Sequence, residues 1–123
     1  MNLAQMALVW ARLFLRRSVG LSIDVTDRCP LSCAGCYMRW YGKGEDLPRE
    51  RWRQIIESYP ARHRRFCAWT GGEPLLRAED IAELSKLFGW NWIATSGTIP
   101  IPEIPRTTVF VSVDGPEEIH NKV

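Results

Sequence analysis

The stretch Leu21-Ser22-Ile23-Asp24-Val25-Thr26-Asp27-Arg28-Cys29-Pro30-Leu31-Ser32-Cys33-Ala34-Gly35-Cys36 decides how this chain is read. Its first half carries apolar residues at alternate positions, Leu21, Ile23 and Val25, which is the period of a half-buried strand. Its second half places three cysteines at C-x3-C-x2-C spacing in the loop that follows. Thiolate sulfur selects zinc or iron-sulfur clusters, and structural zinc is almost always four-coordinate. Three soft ligands in one loop point to a cluster with one iron left open for chemistry.

Outward from this loop, Trp52, Ile55, Ile56 and Tyr59 recur at helical spacing between Pro48 and Pro60, a helix with proline in its first turn. Arg65 to Thr70 reads as a second strand feeding the turn at Gly71-Gly72. Ile81, Leu84, Leu87 and Phe88 give Ala78 to Phe88 one apolar helical face. Trp90 to Thr95 reads as a third strand, and the β-branched run from Thr107 to Val113 as a fourth. Pro100, Pro102 and Pro105 make the third crossover irregular. The expected fold is α/β: a parallel sheet of about four strands with helical, right-handed crossovers.

In a parallel α/β sheet the loops at the carboxyl ends of the strands share one rim, and functional groups collect there. The cysteine loop, Gly71-Gly72-Glu73-Pro74, Ser96-Gly97-Thr98 and Asp114-Gly115-Pro116 all fall at such ends. Sequence-distant residues are thereby predicted to line one site.

With these motifs together, the chain resembles the radical S-adenosylmethionine (radical SAM) enzymes. The signature matches Cys29, Cys33 and Cys36, supported by Thr70 to Pro74, Thr95 to Thr98 and Val111 to Pro116, over roughly residues 20–123. The resemblance implies the first part of a partial (β/α)6 TIM-like barrel. It also implies that the three cysteines bind a 4Fe-4S cluster whose fourth iron is chelated by S-adenosylmethionine, which is cleaved reductively to a 5'-deoxyadenosyl radical. Gly71, Gly72 and Glu73 are then expected to contact the methionyl amino group, and Ser96 and Ser112 the ribose or carboxylate. Tyr37 is expected in the adenine pocket, although relatives often carry an aromatic just before the last cysteine, where this chain has Gly35. A one-electron reductant of flavodoxin or ferredoxin type is the implied partner.

Each residue also has a plainer reading. Glu73 suits the start of a helix in an ordinary strand-to-helix turn, and Ser96 and Ser112 suit solvated or backbone-bonded serines. Cys67 reads as a small buried hydrophobe, His120 as structural, and Trp40, Trp69, Trp90 and Trp92 as core. Two other functions compete: an iron-sulfur electron carrier, and a zinc-stabilised binding module that adds His63 or Cys67 to the loop cysteines.

The chain has 123 residues, 46% of them hydrophobic, enough for one domain. Its 16 Lys and Arg against 14 Asp and Glu leave +2, too little to indicate a nucleic-acid surface. Short cysteine spacing favours a reducing, cytoplasmic setting. Residues 1–18 read as a separate amphipathic helix through Leu3, Met6, Ala7, Val9, Trp10, Leu13 and Phe14, ahead of a core domain over 19–123. It is shorter than the roughly 20 residues of a membrane span, and either packs on the domain or lies on a membrane surface through residues 1–17. The expected barrel stops after its fourth strand, which predicts a completing C-terminal segment or subunit and leaves the substrate unspecified.

Overall fold

The computed structural model describes residues 20–41 and 44–121. Its centre is a sheet in the order β1 (Leu21–Thr26), β2 (Phe66–Gly71), β3 (Trp90–Thr95), β4 (Thr107–Val111), with every neighbouring pair parallel. Helix α1 (Arg49–Ser58) connects β1 to β2, and α2 (Ala78–Leu84) connects β2 to β3. The link from β3 to β4 has no helix, as its prolines predict. A short helix, α3 (Glu117–His120), follows β4. The sheet is open among the described residues, β1 and β4 each having one hydrogen-bonded neighbour.

Strand alternation sends Ile23 and Val25 of β1, Cys67 and Trp69 of β2 and Ile93 of β3 to one face. There they pack with Ile56 of α1, with Ile81 and Leu84 of α2, and with Phe88. Trp69 meets Phe88 edge to face at 5.8 Å. Its indole N–H donates to Asn91 Oδ1 at 3.0 Å, and Asn91 Nδ2 donates to the Ser85 carbonyl at 3.2 Å. The Trp69 indole and the Asn91 amide are therefore paired inside the core, where an unpaired polar group is costly.

Among the described residues, no helix covers the opposite face of the sheet. Ser22, Asp24, Trp92 and Phe110 are exposed there, and Trp92 and Phe110 stack edge to face at 5.3 Å. This corrects the expectation that the tryptophans are core residues. Trp69 is buried, but Trp40 is 87% and Trp90 53% exposed, the latter beginning a strand on the face that carries no helix among the described residues.

Two further boundaries differ from expectation. The helix expected over Ala78 to Phe88 is α-helical only to Leu84, with 3-10 turns at Pro74–Arg77 and Ser85–Leu87. The Ser85 hydroxyl donates to the Ala82 carbonyl at 3.0 Å, a local bond that competes with the helical ladder. The amphipathic helix expected over 1–18 lies outside the described residues. No described helix is long and apolar enough to cross a membrane.

Candidate active site

The loop after β1 is joined to the turn after β2 by main-chain atoms. Gly72 N–H donates to the Thr26 carbonyl and Glu73 N–H to the Arg28 carbonyl, each at 2.8 Å. Gly71 has φ +124°, in the region that favours glycine. A Cβ there would collide with the Thr26 carbonyl oxygen, and one at Gly72 with the carbonyl oxygens of Arg28 and Asp27. The glycine pair thus admits a backbone, and that backbone is the root of the cysteine loop.

Side chains fix the same loop at three more points. Arg28 reaches Asp46 Oδ2 through Nε at 2.9 Å and through Nη2 at 2.7 Å. Arg77 also contacts Asp46 at 3.3 Å, while its Nη2 donates to the Leu47 carbonyl at 3.0 Å. Burial alone would raise the Asp46 pKa, but the Thr26 hydroxyl and the Arg28 and Arg77 guanidiniums hold it below the ordinary carboxylate value. Asp27 Oδ2 accepts from Gly44 N–H at 2.6 Å. At the far end of the loop, the Tyr37 hydroxyl donates to Asp24 Oδ1 at 3.3 Å, and the same oxygen accepts from the Thr70 hydroxyl at 2.7 Å. Desolvation and the facing Asp24 raise the Tyr37 pKa, opposed by the Gly71 backbone N–H.

Between these anchors, Cys29 is exposed and Cys33 and Cys36 are half-buried, all three as free thiols. Cys36 N–H donates to the Cys33 carbonyl at 3.2 Å, and Leu31 N–H to Cys29 Sγ at 3.5 Å. Among the described residues no group of three His, Cys, Asp or Glu side chains is gathered to hold a metal ion. The donor set nonetheless fits a cluster by its chemistry, since free, accessible thiols in one loop supply the thiolates that iron binds.

Glu73 is fully buried. Its Oε1 accepts from Leu75 N–H at 3.1 Å and from the Thr95 hydroxyl at 2.7 Å, and its Oε2 accepts from Ser96 N–H at 2.9 Å and the Ser96 hydroxyl at 2.6 Å. Burial would raise its pKa, but these donors, Ser96 first and then Thr95, outweigh it and lower the value. The four acceptor positions of a carboxylate are thereby taken. An incoming amino group would have to displace a donor, so the role this geometry gives the side chain is a brace between the ends of β2 and β3. It also caps the 3-10 turn beginning at Pro74, as the plainer reading of the turn anticipates.

Ser96 therefore stands beside Glu73 and also contacts the Thr98 hydroxyl at 2.8 Å. Ser112 follows β4, with its N–H donating to the Thr95 carbonyl at 2.9 Å and its side chain exposed. The structure brings Tyr37, Gly71, Gly72, Glu73, Ser96 and Ser112 to the strand ends from which the cysteine loop springs. Sequence reasoning missed Asp24, Arg28, Asp46 and Arg77. Only their polarity marked them, and polarity is the ordinary state of loop residues.

The zinc-module alternative fails on topology. Cys67 pairs with Leu21 at the start of the parallel sheet, whereas the cysteine loop leaves after Thr26. The two positions are a strand apart, roughly 16 Å. His63 precedes β2 in the 3-10 turn Ala61–His63, also at the opening end. Burial additionally pushes the Cys67 thiol pKa up.

A family model described as the Radical SAM superfamily matches residues 23–123. The chain belongs to the radical SAM superfamily. The GTP 3',8-cyclase of Erythrobacter litoralis (strain HTCC2594) is 35% identical over 79 residues, covering 62% of this chain and 24% of that protein. A solved structure, described as native anSMEcpe with bound AdoMet and Cp18Cys peptide, aligns with TM-score 0.59 at 24% identity over 85% of this chain and 33% of its own. The chain thus spans about a quarter of the curated relative and a third of the solved structure. The match bears out the expected parallel α/β architecture.

Proposed function

We propose that this chain carries the initiating part of a radical SAM reaction, with Cys29, Cys33 and Cys36 holding a 4Fe-4S cluster and S-adenosylmethionine completing it. The observation that carries this reading is the main-chain junction of the cysteine loop with Gly72 and Glu73, which puts the family's two motifs at one place. When bound, the cluster and S-adenosylmethionine would supply a 5'-deoxyadenosyl radical by one-electron cleavage of the sulfonium.

The chain's own residues orient and shield. Gly71, Gly72 and Glu73 offer main-chain groups to the methionyl moiety, with the Glu73 carboxylate keeping the turn in shape. Ser96 and Ser112 offer hydroxyls to the ribose or carboxylate from the ends of β3 and β4, and Tyr37 offers a ring edge beside the loop. A flavodoxin or ferredoxin type protein supplies the electron, in a reducing cytoplasmic setting where the thiols stay free. A further segment or subunit completes the barrel and selects the substrate, and residues 1–17 provide a membrane-surface contact.

The test is anaerobic reconstitution, with iron and sulfide counted, followed by dithionite and S-adenosylmethionine. About four irons per chain and release of 5'-deoxyadenosine are expected for this cluster type. A colourless, zinc-only protein would overturn the reading. A cluster that leaves S-adenosylmethionine intact even when the completing segment is supplied would favour the electron carrier.

A further inference from the structure

Asp24 belongs to none of the motifs that mark the family, yet it stands where the cysteine loop returns to the sheet. It projects from the open face of β1, two residues before the strand ends. Its Oδ1 accepts from the Tyr37 hydroxyl at 3.3 Å and the Thr70 hydroxyl at 2.7 Å. Thr70 in turn lies 3.5 Å from the Ser22 hydroxyl and donates weakly to the Ile23 carbonyl at 3.4 Å. One carboxylate oxygen thus gathers a donor from β2 and a donor from the loop's far end.

Tyr37 follows Cys36 directly and opens the 3-10 turn Tyr37–Trp40, with Arg39 N–H donating to the Cys36 carbonyl at 3.2 Å. Its ring also meets Tyr41 edge to face at 6.3 Å. The peptide on the Tyr37 side of Cys36 is consequently held from both directions: by the turn, and through the phenol by the sheet. The loop's other end is held by main-chain bonds at Thr26 and Arg28. The phenol contact ties the residue directly after the last cysteine to the sheet, in addition to the side-chain anchors through Asp27 and Arg28.

Resting on the proposed cluster ligation, we propose that Asp24 and Tyr37 form a positioning pair that sets the approach of the Cys36 thiolate to the cluster. Groups that orient a metal ligand without touching the metal commonly change affinity 10–100-fold when removed. The pair works as a unit: a phenol with no acceptor and an acceptor with no phenol leave the loop equally loose. Asparagine at position 24 keeps an acceptor oxygen for both hydroxyls, whereas alanine keeps none.

The experiment uses the reconstituted full chain and reads two quantities: iron loss to a chelator, and the electron paramagnetic resonance spectrum of the reduced cluster before S-adenosylmethionine is added. Asp24→Ala and Tyr37→Phe should each speed iron loss about tenfold and shift the spectrum. Their combination should be no worse than either alone, the sign of a coupled pair. Asp24→Asn should stay within about twofold of wild type, a rescue that mere loss of packing would not give. Wild-type retention and spectrum in Tyr37→Phe, or fully multiplicative losses in the double variant, would overturn the positioning pair while leaving cluster ligation intact. A wild-type chain that takes up no iron would overturn the ligation reading beneath it.

Discussion

Ser96 donates twice to one oxygen of Glu73, through its backbone N–H at 2.9 Å and its hydroxyl at 2.6 Å. The exits of β2 and β3 are therefore locked together by a carboxylate with no access to water. Removing it would leave several buried donors unpaired, at about 1–3 kcal/mol each. Glu73→Ala is expected to lower the unfolding free energy by roughly 3 kcal/mol or more, measured by urea denaturation. A loss below about 1 kcal/mol would show that the brace does not bear on stability.

The same carboxylate makes stability sensitive to acid. Its folded-state pKa is lowered, with the donors from Ser96 and Thr95 outweighing burial. Its contribution is therefore fully present above the unfolded value of about 4.3 and is lost as pH falls through the folded value. Thermal denaturation between neutral and acid pH should show this decline, and Glu73→Gln should flatten it. An unchanged acid limb in that variant would assign the dependence to other groups, Asp46 foremost, whose pKa is lowered in the same direction by Thr26 and Arg28 against its burial.

Cysteine accessibility gives a simple check. Cys29, Cys33 and Cys36 should react with a thiol reagent in the native apo-protein, while Cys67, buried in the core with its pKa raised, should react only on unfolding. In reconstitution, Cys33→Ala should lose the cluster and Cys67→Ala should keep it. Equal losses of iron in the two variants would count against the assignment.

Backbone crowding at the glycine pair predicts a steep response to one methyl group. Gly71→Ala meets both a positive φ and the Thr26 carbonyl, so a cost of about 1–3 kcal/mol is expected. Gly72→Ala must push away the Arg28 and Asp27 carbonyls and should also impair iron uptake. Normal melting temperature and normal iron content in Gly72→Ala would separate the two motifs physically.

Much of this was legible because strand ends announce themselves. The alternation of Leu21, Ile23 and Val25 places β1, and Trp90–Thr95 is a strand over the span its residues suggest. β4 stops at Val111 and not at Val113, because β3 ends at Thr95 and offers no ladder beyond the Ser112 N–H bond to its carbonyl. The cysteine spacing and the glycine pair marked the candidate site. Their joint purpose was not legible: the carbonyls that crowd Gly71 and Gly72 belong to Thr26, Asp27 and Arg28, a proximity created by strand pairing. Asp24 and Arg28 were likewise silent, since their partners Tyr37 and Asp46 lie 13 and 18 residues away and follow no period.

The junction between loop and turn is made from peptide groups, with Thr26 and Arg28 lending only their carbonyls and Gly72 and Glu73 only their N–H groups. Such a seam is indifferent to the identity of the side chains it joins on the loop side. Cysteine loops of other composition, transplanted between Thr26 and the residues after Cys36, would find the same socket waiting, provided the two glycines stay. In this fold the cysteine loop is the piece that can be exchanged, and the fitting that receives it is a pair of residues with nothing to show but backbone.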